Sequence, residues 1–220
     1  MEMRNQYILA EDWMIVVLIL GSAILAWVRY GFPKRLPRLI NSIISHRSMK
    51  QMMREESLFS HRASQGLALL FLLSAALFLF LLSVSFDFYP LNLQGITLYV
   101  IYFGVLFFTY MVKIIANRLI IFLMEENYGL EDYLFNVAII NMGIGILLLP
   151  VVILIAYLPV EYATFIAKTS AYFVLIVFIY RVIRGAIIAL EAKANYIYII
   201  LYLCGLEILP IALCAKWLIA

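Results

Sequence analysis

Six long apolar runs, separated by short polar stretches, order the whole chain: about residues 13–30, 65–86, 96–115, 134–158, 163–183 and 197–218. A helix needs about 20 apolar residues to cross the hydrocarbon of a bilayer, and each run is of that order. Within lipid, every backbone N–H and C=O must be paired inside its own segment, so the runs are predicted to be helical. Turn residues fall between them. "DFYPLNLQG" (87–95) separates the second run from the third, and "LPVEYA" (158–163) separates the fourth from the fifth. A different period governs residues 33–62. There Leu36, Leu39, Ile40, Ile43 and Ile44 recur at i, i+3, i+4, i+7 and i+8, with Arg35, Arg38, His46 and Arg47 around them. That stripe predicts an amphipathic helix. It suits the headgroup region and its anionic lipids, or serves simply as a basic anchor.

Composition makes the class firm. The chain is 66% hydrophobic and 13% charged, whereas soluble domains average about 45–50% and about 25%. The mean hydropathy is +1.04. Glu11 and Asp12 stand directly before the first run, where a cleaved signal would carry positive charge, so that run is read as a retained helix. The expected fold is all-α: a polytopic membrane helical bundle of about six transmembrane helices in a single integral domain, 1–220.

Charge sets an orientation. Thirteen of the 16 Lys and Arg lie in 29–64, 113–133 and 181–196, leaving only Arg4, Lys168 and Lys216 on the other side. The positive-inside rule puts the thirteen in the cytoplasm. Both termini then face out, as six crossings require. Lys113, Arg118, Arg181 and Arg184 form a basic belt at the inner headgroup level. Long cations at such positions also snorkel merely to fix helix depth. Apolar turns continue past the belt, "LIIFLME" (119–125) and "AIIALEA" (186–192), and are expected to protrude as helix.

Runs three and four resemble runs five and six. Arg118, Glu125, Gly145 and Pro150 are answered by Arg184, Glu191, Gly205 and Pro210, at offsets of 66, 66, 60 and 60. "GILLLP" (145–150) is matched by "GLEILP" (205–210). This is read as a duplicated helical hairpin, its glycines giving close helix approach and its prolines giving kinks.

One residue of the last run does not belong in lipid. Glu207 lies about ten residues from either end of it, and its repeat counterpart is Leu147. An ionised carboxylate at that depth costs several kcal/mol, so it must face protein or water. Helical spacing places Glu207 on one stripe with Tyr196, Ile200, Cys204, Ile211 and Cys214. The candidate intramembrane partners are Asn141, Tyr172 and Lys168. Two roles remain open: an interhelical hydrogen-bonding group, or a proton- or cation-exchanging acid in a small transporter.

No motif of catalysis is present: no H-E-x-x-H, G-x-S-x-G or P-loop. Cys204 and Cys214 are ten residues apart on one helix, beyond disulfide reach, and neither His46 nor His61 has a ligand-spaced partner. The acidic "EENYGLED" (125–132), with Glu125, Glu126, Glu131 and Asp132, reads as a solvated, capping loop more readily than as a divalent-ion site. The expectation is no catalysis, no cofactor, no metal and no nucleic-acid partner. The chain is read as a structural or assembly component of a cell-envelope complex, with lipid headgroups, a membrane protein or a second copy as partner.

Three strings carry a family resemblance: "REESLFSHR" (54–62), "YRVIRG" (180–185) and "YLCGLEILP" (202–210). Together they resemble the domain-of-unknown-function family 4271, small membrane proteins of Bacteroidetes-type bacteria. The resemblance covers nearly the whole chain. It implies an inner-membrane location and brings no activity or functional residues with it.

Overall fold

The computed structural model describes residues 11–55, 62–86, 93–123 and 130–191. These form α1 (Asp12–Gly31), α2 (Arg35–Ile44), α3 (His46–Glu55), α4 (Arg62–Ser85), α5 (Ile96–Leu123), α6 (Leu130–Tyr157) and α7 (Val160–Glu191). Five of them contain segments long and apolar enough to cross a membrane: all of α1 and α4, Ile96–Ile115, Phe135–Tyr157 and Val160–Gly185. The chain is thus a helical membrane bundle. The sixth apolar run, 197–218, with Cys204, Gly205, Glu207, Pro210 and Cys214, lies outside the described residues.

Helix ends follow local chemistry. α1 stops at Gly31 before Pro33, and the Phe32 N–H closes it on the Val28 carbonyl at 3.0 Å. Gly95 holds φ +63° ahead of α5, a left-handed conformation that costs any residue with a Cβ about 1–2 kcal/mol. Pro159 stands just before α7, where its missing N–H is no loss. Pro150 lies inside α6, and the helix runs on through it.

The stripe from Leu36 to Ile44 falls within α2, and a second helix, α3, follows it in the same basic segment. The chain breaks at Ser45, which is extended (φ −111°, ψ 122°) and whose N–H bonds Asn41 O at 2.8 Å. The break lets α2 and α3 fold onto each other and turn apolar positions into protein. Leu39 and Met49 are fully buried and Met52 nearly so, packed with Val28 of α1, Leu67 and Leu70 of α4, and Ile139 and Met142 of α6. Ile40 stays outside, 54% exposed.

Two helices form the centre. In α4 and α6, 61% of the spanning window is buried, against 22%, 17% and 11% in α1, α5 and α7. α1 and α5 flank α4, and α7 lies along α6. The α4–α6 seam closes at Gly145. A Cβ added there would sit 2.6 Å from Phe71 Cα and 2.9 Å from its backbone nitrogen. Small-residue seams of this kind let backbones touch where lipid offers no hydrophobic driving force. Ser74 spans the same seam, its hydroxyl lying 2.8 Å from Leu70 O and 3.3 Å from Gly145 O. A second hydroxyl pair, Ser83 and Tyr102 at 2.6 Å, ties α4 to α5.

Candidate functional site at the basic end of the bundle

The end of the bundle where α1 and α7 finish and α4 and α6 begin carries most of the described cations. Several have withdrawn from solvent. Arg35, Arg181 and Arg184 are 5%, 6% and 9% exposed. A buried guanidinium is tolerable only where fixed acceptors replace water.

Arg184 finds them at the end of α2. Its Nη2 donates to Ser42 O at 2.9 Å, and its Nη1 donates to Ile43 O. The last carbonyls of a helix lack intrahelical donors and carry the negative end of its dipole. Arg184 therefore closes α2 from a helix about 140 residues further along the chain. Tyr180, one turn earlier on α7, lies 3.3 Å from the same Nη1, and its hydroxyl reaches Ile43 O at 3.4 Å. Gly143 of α6 makes room for this junction: a Cβ there would lie 2.5 Å from Ile43 Cδ1.

Arg181, just under one turn before Arg184, turns to α6. Its Nη1 donates to Asn141 Oδ1 at 2.8 Å, and its guanidinium sits 4.9 Å from the Phe178 ring centre. Arg35 Nη2 donates to Ser64 Oγ of α4 at 2.6 Å. Burial, and secondarily the charge of Arg38, hold the Arg35 guanidinium below its ordinary pKa.

The other intramembrane candidates are elsewhere. Lys168 is exposed, its ammonium 5.8 Å from the Phe86 ring centre. Tyr172 is 71% exposed. Lys113 is partly buried, and the Arg118 side chain, like Glu125 and Glu126, lies outside the description. Of the polar residues considered as partners for Glu207, only Asn141 is joined to the buried cations. Arg181 and Arg184 thus turn into protein instead of snorkelling outward.

Sequence reasoning missed the acceptors of Arg184, because backbone carbonyls carry no residue signature. It also missed Asn136, 1% exposed, whose Oδ1 and Nδ2 make no hydrogen bond among the described residues. Its only signal was a second asparagine five residues before Asn141. Among the described residues no three His, Cys, Asp or Glu gather as a metal ion would require. The described cluster consists of guanidiniums, amides and hydroxyls. Such groups hold and orient neighbours, and they do not exchange protons near neutrality.

A family model described as "Domain of unknown function (DUF4271)" matches residues 14–218. No curated protein and no solved structure matches the chain.

Proposed function

The chain belongs to the DUF4271 family, and from that premise we propose that it is a non-catalytic structural or assembly component of a cell-envelope complex in a bacterial inner membrane. The observation that carries this reading is the closed α4–α6 seam. The two central helices meet backbone to backbone at Gly145 and Phe71, and the Ser74 hydroxyl, 2.8 Å from Leu70 O, also reaches Gly145 O across the same contact at 3.3 Å. A transport path between these two helices would need the central pair apart.

The outward faces support the same reading. α5 and α7 present Phe108, Phe165, Tyr172 and Ile176, each 63% exposed or more. These faces suit lipid, a membrane protein partner or a second copy of the chain. The thirteen-to-three charge division supports a cytoplasmic basic end with both termini outside. Lys34, Arg38 and Arg47 are exposed on α2 and α3, and no carboxylate occurs between Asp12 and Glu55. Anionic headgroups are the lipid partner such a surface fits. The duplicated hairpin enters this picture as α5–α6 and α7 with 197–218.

The test is affinity purification from crosslinked membranes in mild detergent. A membrane protein, or a second copy, recovered in stoichiometric amount is the expected result. Recovery of a lone monomer, together with ion or proton flux in proteoliposomes that Glu207→Gln abolishes, would replace this reading with the transporter.

A further inference from the structure

We infer that α2 and α3 form a re-entrant hairpin: it dips from the basic end into the adjoining leaflet and returns, with Ile40 among acyl chains and Arg47 reaching back to the phosphate of an anionic lipid. The depth follows from close contacts at glycines. α4 and α6 both start at the basic end, and Gly145 of α6 meets Phe71 of α4, so Gly143 stands level with residue 69 of α4. Gly66 of α4 meets Trp27 and Val28 of α1, which runs the opposite way, so that level is about residue 25 of α1. Gly21, whose Cβ position faces Leu70 and Leu149, fits the same register. The side chains that meet Gly143 are Ile43 and Leu39 of α2. The tip of α2 is thus seated about six residues above Gly31, where α1 ends, roughly 9 Å at 1.5 Å per residue. α2 begins lower: Arg35 bonds Ser64, close to the start of α4. The chain leaves α1, turns, and climbs back beside it.

That depth accounts for the contacts at the tip. At a hydrated surface the last carbonyls of a helix take water as their donor. Within a leaflet, backbone that leaves the helix is tolerated only where protein satisfies it. Here protein supplies the partners. Arg184 donates to Ser42 O and Ile43 O, and Ser45 N–H donates to Asn41 O. The hairpin sits on α6, with α1 beside it and the end of α7 clasping its tip. Its other side therefore faces away from the bundle. Pro37 and Ile40 of α2 are exposed there. At this depth the surroundings on that side are lipid.

Charge identifies the lipid. Arg47 stands two residues past the turn and is exposed. A cation at that level lays its stem along apolar surface and puts its charge among the headgroups. Lys34, also exposed, marks the foot of the hairpin. No carboxylate occurs between Asp12 and Glu55, so charge of one sign lines this surface. It complements a headgroup of net negative charge, and a phosphate matches the planar fork of a guanidinium. The inference deepens the proposed fit to anionic headgroups and rests on the basic end lying at headgroup level. It holds whichever side of the membrane that end occupies, and with or without an assembly partner.

Fluorescence quenching in proteoliposomes of the full-length chain tests both parts. In a Cys204→Ser, Cys214→Ser background, Ile19→Cys, Lys34→Cys and Ile40→Cys are labelled singly with bimane. Ile19, 64% exposed in the middle of α1, is the reference for lipid. Phosphatidylcholine brominated on its acyl chains near the headgroup should quench the probes at 19 and 40 and leave the probe at 34 bright. Aqueous iodide on both faces should do the reverse. A probe at 40 that follows the one at 34 would place the hairpin in water and overturn the inference. A probe at 34 quenched like the one at 19 would instead remove the headgroup level on which the inference rests. In equal mixtures, acyl-brominated phosphatidylglycerol should quench the probe at 40 several-fold more than brominated phosphatidylcholine. Arg47→Gln should abolish that preference while the probe keeps its depth. Equal quenching by the two lipids, or a preference that survives Arg47→Gln, would overturn the phosphate contact.

Discussion

Replacing Gly145 with alanine tests the central seam most directly. The new Cβ would sit 2.6 Å from Phe71 Cα, 2.8 Å from Phe71 Cβ and 2.9 Å from Phe71 N. Carbon atoms rest at about 3.5–4.0 Å, so the shortfall is roughly 1 Å. A flexible side chain could yield that distance by changing rotamer, but here two of the three neighbours belong to a helix backbone. α4 and α6 must separate along the seam, loosening the Ser74 contact to Gly145 O. Overpacking of a tight core costs about 1–3 kcal/mol, and the backbone neighbour puts this site in the upper part of that range. Alanine returns up to about 1 kcal/mol through helix propensity. The net expectation is a loss of about 1–2 kcal/mol. Gly104→Ala is the internal control, because nothing lies within 4 Å of a Cβ at that position. It should be neutral or gain up to about 1 kcal/mol from the same propensity term. Reversible unfolding in mixed micelles, followed by circular dichroism, measures both. Equal stabilities for the two variants would refute the close approach and, with it, the closed seam.

Other sites give sharper local readouts. Arg184→Gln removes the charge that closes α2 and should cost about 1–2 kcal/mol, with faster amide exchange at 41–45 as the specific signature; unchanged exchange there would remove Arg184 from that role. Asn136→Leu replaces a buried amide that has no hydrogen bond among the described residues, a group that costs about 1–3 kcal/mol when unsatisfied, so stability should hold or rise. A clear loss in the same unfolding assay would mean that Asn136 has a polar partner in the working protein. Gly95→Ala should lower stability by about 1–2 kcal/mol through its positive φ, and Gly95→Asn by less, since Asn tolerates that region. Reporter fusions after residues 45 and 125 should report cytoplasm, and one after residue 91 the outer side; the reverse pattern would invert the proposed orientation.

The helical membrane bundle was legible because its signal is cumulative. A run such as 134–158 is hydrophobic over two dozen positions, and no single residue decides it. Which helices become central was not legible from hydrophobicity, since α1, α5 and α7 are also apolar. The distinguishing marks are small residues: Ser74, Ala75 and Ala76 on α4 and Gly143 and Gly145 on α6. They matter only once the two helices are known to face each other. The stripe from Leu36 to Ile44 coincides with α2, whereas α3, His46–Glu55, was hidden because Ser45 is a weak breaker by itself and no apolar stripe was read beyond it. For Arg181 and Arg184, the sequence supplied charge and depth but not direction. A cation near a helix end turns outward or inward according to the acceptors its neighbours offer. Here those are Asn141 and two backbone carbonyls of α2. Glu207 was singled out by charge, and it lies outside the described residues.

The clasp on α2 orders biosynthesis. Ser42 and Ile43 leave the ribosome about 140 residues before Arg184, the side chain that holds their carbonyls. Through that interval the Ser42 and Ile43 carbonyls lack the donor that Arg184 later supplies. α6 arrives first with Gly143 to seat Ile43, and only the end of α7 secures it. A chain that stops before residue 184 can still bury Leu39 against α1, α4 and α6 and pair Arg35 with Ser64, but it leaves the last carbonyls of α2 without their distant donor. The end of α2 is thus the part of the hairpin whose completion depends on the chain having been made through α7.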